Sequence, residues 1–235
     1  MADHGPGQFR GSRAITRVSC RTGSRSPGRR AAGPSVDVLS FWTAELPPPG
    51  SDQVHVTSAR LNIGVAIGIP EPFRTELQEW RERVGDPNAS LIVPHVTLLG
   101  PTEIAASELP EVERHLADVA ERFEPFVIHL RGSGTFRPLS PVVFVTLAMG
   151  ISCCEVLEKA VRSGPLDRPV RFSYHPHVTV AHDIDDEALD RAFESLADYR
   201  AQFEVTGFSL YERGADCAWR ELLFFPFASM GSQVK

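Results

Sequence analysis

The chain has 235 residues, 42% hydrophobic, 23% charged and 9% aromatic, a globular mixture that excludes a wholly disordered or fibrous protein. Its net charge of −6 is unevenly spread: residues 1–52 set seven Arg against four acids, +3, which leaves −9 for residues 53–235. A protein that coats long nucleic acid needs a basic surface to neutralise phosphates, so a nucleic-acid substrate must be met here locally, at a few groups such as a strand end.

Residues 1–58 hold Gly, Pro, Ser and Arg clusters (TGSRSPGRR, AAGPS, PPPGSD) without helical or strand periodicity, and read as a disordered extension. The start is Arg-rich and acid-poor, like an organelle transit peptide, but lacks the apolar core of a secretory signal. Only residues 36–42 (VDVLSFW) are locally apolar.

From residue 59 the texture changes. Residues 61–69 (LNIGVAIGI) predict a buried strand ended by Pro70, and Phe73, Leu77, Trp80 and Val84 define one helical face over 71–84. Residues 91–99 (LIVPHVTLL) predict a strand stopped by Gly100-Pro101. A helix over 107–123 follows, with Leu109, Val112, Leu116, Val119, Ala120 and Phe123 inward, then a strand over 125–130 leading into Gly132-Ser133-Gly134. The pattern restarts with a strand over 142–148, a helix over 154–161 around Val156, Leu157 and Ala160, and a strand over 177–181. A helix over 185–199 carries Leu189, Phe193 and Leu196 and is capped by Asp185. One alternating strand over 203–211 and a last strand over 220–227 close the chain.

The two halves align: Val65 to His95 spans 30 positions, Val145 to His177 spans 32, and each half carries PHVT. One such unit cannot cover its own sheet, so the halves should pack about a pseudo-twofold and set their PHVT strands opposite each other across a cleft. The expected class is α+β: a duplicated two-lobe fold, antiparallel sheets lining a central cleft and helices outside, with lobes of about 59–135 and 136–235.

In a strand, residues i and i+2 share a face. His95 and Thr97 therefore face together with Val96 behind them, and His177 and Thr179 do the same around Val178. A buried imidazole and hydroxyl on an apolar strand would be costly, whereas both suit a wet cleft. A third HVT, His55-Val56-Thr57, lacks strand framing and a repeat partner and is set aside. Paired imidazoles suit in-line cleavage of a phosphodiester: one takes a proton from the incoming oxygen and the other gives one to the leaving oxygen. An ordinary pKa near 6.5 allows one neutral and one protonated ring near neutral pH. The threonine hydroxyls can donate to the non-bridging oxygens.

Two HxT motifs in register with a duplicated α/β chain resemble the two-histidine phosphoesterase superfamily, in its bacterial 2′-5′ RNA ligase / RNA 2′,3′-cyclic phosphodiesterase branch. The likeness runs over residues 61–227, and the tail segments 208–211 (FSLY) and 219–226 (WRELLFFP) are similar to that family's closing strands. It implies His95 and His177 as general acid and base, Thr97 and Thr179 as phosphate-orienting groups, and neither metal nor nucleotide cofactor. RNA ends or small cyclic-phosphate nucleotides are the implied ligands of a monomeric enzyme without a membrane partner. The long amino-terminal extension departs from the compact family core.

Phe136 and Arg137 are candidates for holding a base and a phosphate, against the alternative of a core ring and a solvated loop residue. Arg168 and Arg171 are weaker candidates. His175 shares a strand face with His177 and is read as lining the cleft rim. A zinc site from His175, His177 and Asp183 or Asp185 is disfavoured, because the first half offers only His95. His115 and His129 have no partner in the pattern. Cys20, Cys153, Cys154 and Cys217 show neither CxxC nor metal-ligand spacing, which points to reduced thiols in a cytoplasmic protein. Activity on a small cyclic nucleotide or an ADP-ribose cyclic phosphate, and non-catalytic binding of RNA ends, are the competing readings.

Overall fold

A computed structural model describes residues 59–170 and 172–228. The extension 1–58, with Cys20, His55 and the apolar stretch 36–42, lies outside the described residues, as does Arg171.

The first repeat is β1 (Arg60–Gly68), α1 (Phe73–Val84), β2 (His95–Ala105), α2 (Leu109–Ala120) and β3 (Phe126–Thr135). The second is β4 (Val142–Met149), α3 (Ile151–Val161), β5 (His177–His182), α4 (Asp186–Ser195) and β6 (Arg200–Val205). A closing hairpin, β7 (Gly207–Arg213) and β8 (Trp219–Pro226), follows. Asp185 caps α4 as expected, accepting from the Ala188 N–H at 2.7 Å.

All eight strands form one antiparallel sheet in the order β6-β3-β4-β5-β2-β1-β7-β8. The PHVT strands are therefore hydrogen-bonded neighbours at the centre of the sheet, not strands facing across a gap. The spatial halves also differ from the sequence halves divided at 135/136. β3 crosses over to join β4 and β6, and the closing hairpin supplies the matching pair beside β1. The pseudo-twofold survives in the helices: α1 lies on β5 and against α4, while α3 lies on β2 and against α2. Each repeat thus covers the central strand of the other, which is why neither buries a core alone.

Several boundaries differ from the sequence reading for identifiable reasons. Gly100-Pro101 does not end β2. Val65 pairs with Leu99 and Ile63 with Thr102, so Gly64 faces both residues in a bulge, where the missing proline N–H is tolerated. In α3 the buried face is Cys153, Cys154, Leu157 and Val161, leaving Val156 43% exposed. The helix starts at Ile151, and the buried thiols set its phase. Phe193 of α4 is likewise partly exposed. Thr206 divides the single strand expected over 203–211 into β6 and β7, which run on opposite sides of the sheet.

Ile63, Val65 and Ile67 of β1, Val96 and Leu98 of β2, Val143 and Val145 of β4, and Val178 and Val180 of β5 face the helices in one continuous core. Alternation sends the intervening residues to the open face. No helix among the described residues is long and apolar enough to cross a membrane.

Candidate active site

The register of the two central strands fixes the site. Val96 pairs with Val178 in antiparallel sense, so His95 lies opposite Thr179 and Thr97 opposite His177. Side chains of paired residues share a face, with Cβ atoms about 5 Å apart across the strands and about 7–8 Å on the diagonal. The four form a square on the open face with the imidazoles at one diagonal and the hydroxyls at the other. All four are half-buried. Sequence spacing brought His95 and His177 to matching places, and the sheet sets them around one point.

Each ring is aimed by its own strand. The His95 Nδ1–H donates to the Val93 carbonyl at 2.7 Å, and the His177 Nδ1–H donates to the His175 carbonyl at 2.8 Å. Both acceptors lie two residues upstream with a buried proline between (Pro94, Pro176). Proline biases the preceding residue to extended backbone, which leaves that carbonyl free to receive the ring. Holding the proton on Nδ1 turns Nε2, with its lone pair, away from the backbone. The Thr97 hydroxyl donates to the His95 Nε2 at 3.1 Å.

Both rings are pushed down from 6.5 to about 4, chiefly because burial disfavours the charged form, with the backbone hydrogen bonds opposing the shift. Arg81 and His177 add like charge against a proton on His95, and His175 does so against one on His177. The free site therefore holds two neutral imidazoles at neutral pH, rather than one neutral and one charged.

The surroundings of the two histidines differ. The His177 ring meets Phe136 edge-on at 5.0 Å and Phe144 at 5.0 Å, while His175 lies nearly parallel at 6.3 Å. Phe136 and Phe144 themselves pack at 4.4 Å. Phe136 and the exposed His175 thus stand at the site. Arg137 is turned to α4, donating to Asp190 at 2.6 Å and lying 3.5 Å from Asp186. Arg168 donates to nearby carbonyls, Pro165 and Asp167. Beside His95 and Thr97 lie Gly64, Ala66, Tyr211 and Trp219. A side chain at position 64 would strike the Trp219 indole, 2.9 Å from an added Cβ. The His115 Nε2–H donates to the Val161 carbonyl at 3.1 Å on the helix side, apart from the site.

Sequence reasoning missed Phe144, Tyr211, Arg213 and Trp219. The signal for Tyr211 and Arg213 was period-two alternation against the fully buried Phe208 and Leu210. It also missed Arg81, buried in α1, which pairs with Asp86 at 2.9 Å and donates to the Ile92 carbonyl. No group of three or more His, Cys, Asp or Glu among the described residues is arranged to hold a metal.

Comparisons with known proteins bear on the fold and the family. A curated relative from Halalkalibacterium halodurans, provisionally named a phosphoesterase, is 30% identical over 129 residues, 55% of this chain and 74% of its own length. One from Bacillus licheniformis, named in the same way, is 28% identical over 127 residues, 54% of this chain and 74% of its own. The crystal structure of E. coli LigT complexed with 3′-AMP shares the fold at a TM-score of 0.56 and 18% identity, covering 72% of this chain and 99% of that one. LigT complexed with NADP+ matches at 0.55 and 21%, covering 73% and 99%. The model of the 2′-5′ RNA ligase superfamily matches residues 69–216, more than half of the chain and both PHVT strands, so this protein belongs to the 2′-5′ RNA ligase superfamily of phosphoesterases.

Proposed function

We propose that the protein is an RNA 2′,3′-cyclic phosphodiesterase that opens the cyclic phosphate at an RNA end to a 2′-phosphate, with no metal taking part. The observation that carries this reading is the square formed by His95, Thr97, His177 and Thr179 around the Val96–Val178 pair. A phosphate at its centre has an imidazole Nε2 on each flank and a hydroxyl at each remaining corner. One Nε2 takes a proton from water as its oxygen attacks phosphorus. The P–O3′ bond breaks on the opposite side, and the other ring, as imidazolium, gives its proton to O3′. The products are a 2′-phosphate and a free 3′ hydroxyl. Thr179, and Thr97 once its hydroxyl turns from the His95 Nε2 to the phosphate, donate to the non-bridging oxygens, where charge gathers in the transition state.

With both rings near 4 in the free site, the anionic substrate itself supplies the attraction that lets one imidazole hold a proton. Nucleotide-sized ligands in the E. coli LigT structures, 3′-AMP and NADP+, support the ligand class. A 5′ hydroxyl in place of water would turn the same chemistry into 2′-5′ joining. The cellular setting we propose is the cytoplasm.

The test is hydrolysis of a nucleoside 2′,3′-cyclic phosphate in EDTA. Turnover by the wild-type protein, reduced at least about 100-fold in His95→Ala and in His177→Ala, is expected. An inactive wild type, or full activity in both variants, overturns the reading. A protein that only binds RNA ends would show affinity without turnover.

A further inference from the structure

At the end of the square where β2 begins and β5 finishes, the open face deepens into a cavity that the cleavage chemistry leaves unused. His95 and Thr179 form its inner wall, and Arg81, His182, Arg213 and Trp219 enclose the rest. The Trp219 backbone N–H donates to the Leu91 carbonyl at 2.8 Å and ties the closing hairpin to the segment leading into β2. In a body of net charge −9, no Asp or Glu stands among the residues lining this cavity.

Its cations include one buried and one half-buried guanidinium, Arg81 and Arg213. Arg74, Arg137 and Arg220 each have a carboxylate partner on the surface. Arg213, half-buried at the end of β7 and paired across the strands with Trp219, has no side-chain hydrogen bond or ion pair with a described residue. Arg81 is 3% exposed, and Asp86 balances its charge, yet it uses only some of its five N–H donors on Asp86 and Ile92. His182 is 7% exposed, and its Nε2 lies 3.5 Å from the Asp183 carboxylate, which does not line the cavity. Two guanidinium groups lining one cavity, one buried and one without a side-chain partner among the described residues, are chemistry that recognises a phosphate.

We propose that this cavity is a second anion subsite, holding the phosphate on the 5′ oxygen of the ribose whose 2′,3′ edge lies on the square. The inference rests on the phosphodiesterase reading for the ribose's orientation and adds which nucleotide is preferred. His95 and Thr179 belong to both places, so the two phosphates sit about one strand period apart, about 7 Å, a separation that one ribose spans. That 5′ phosphate is either a terminal monoester of a small nucleotide or the diester continuing an RNA chain.

Titration calorimetry with product-like ligands tests the subsite without any turnover. Adenosine 2′,5′-bisphosphate is expected to bind the wild-type protein at least about 10-fold more tightly than adenosine 2′-monophosphate, and Arg213→Gln to reduce that ratio to about 2-fold or less. Equal binding of the two ligands by the wild type, binding of neither, or an undiminished ratio in Arg213→Gln overturns the subsite. A dinucleotide ending in a 2′-phosphate separates the sources: tighter binding than the bisphosphate assigns the cavity to an RNA chain, and weaker binding to a small nucleotide. If cyclic phosphate hydrolysis fails while the ratio and its loss in Arg213→Gln are found, the cavity stands and the catalytic reading falls.

Discussion

The two PHVT strands carry the same four residues in the same backbone arrangement, yet they stand in different surroundings. In both, the ring turns back to a carbonyl two residues upstream, and burial brings both histidines to about 4. Around His95 the support is ionic and polar: Arg81 with Asp86, the Thr97 hydroxyl, and the cavity that holds Arg213. Around His177 it is aromatic, from Phe136, Phe144 and the His175 ring. Duplication accounts for the square. The flanks come from elements that differ between the repeats, chiefly the segment after α1, the turn after β3 and the closing hairpin. A symmetric core is thereby given an asymmetric mouth, which a nucleotide, itself asymmetric about its phosphate, requires.

The comparison breaks most strongly at Arg81. Its guanidinium is 4% and the Asp86 carboxylate 0% exposed. Arg81→Met leaves a buried carboxylate uncompensated and releases the Ile92 carbonyl, with an expected loss of about 3–5 kcal/mol of stability. Urea denaturation measures it. A loss below about 1 kcal/mol would mean that the pair is dispensable and that the His95 strand does not depend on it. The threonines come next. Thr179→Val removes a hydroxyl that donates to neither ring, so the expected loss is in turnover alone, about 100-fold. Thr97→Val also takes the hydrogen bond from His95 and should lose more. Equal losses would show that the Thr97–His95 contact does not help to place the ring before substrate binds.

Much of this was legible in the chain. The strand-helix-strand repeat, the period-two placement of histidine with threonine, and the proline before each histidine are local features, and local features follow from local sequence. The pairing of β2 with β5, the crossing of β3 into the second half and the return of β7 and β8 to the first are not local. They depend on which strand edges each repeat leaves open. The missed residues share that origin. Trp219 and Arg213 reach the site because the chain's end comes back to β1, and Arg81 is buried because the segment 86–94 folds over it. Arg137 follows the site residue Phe136 in sequence, but the carboxylates of α4, remote in sequence, draw it away.

The depressed histidines tie the site to stability. Their folded-state values lie below the ordinary 6.5, so the unfolded chain binds protons first as pH falls. Stability is therefore full above about pH 6.5 and is lost as pH falls from there to about 4, by at most about 3 kcal/mol per ring. His95→Asn combined with His177→Asn should flatten that window in thermal melts. An unchanged slope would locate the acid sensitivity elsewhere.

The finest test separates the two sets of surroundings at one ring. Phe136 is half-buried, packs on Phe144 and presents its edge to His177, but it is not among the residues beside His95. Phe136→Ala should destabilise the protein by about 1–2 kcal/mol, less than a fully buried phenylalanine would. It also admits water to the His177 ring. Because burial is the largest cause of that ring's low value, its pKa should climb from about 4 toward 6.5 while that of His95 stays in place. Two-dimensional NMR of the imidazole C–H groups over a pH series reads both rings at once. If the two values rise together, the rings share one solvent environment, and the aromatic wall is not what distinguishes His177. If only His177 moves, the aromatic wall is what keeps water from the second repeat's imidazole, and the two rings stand in separate solvent environments.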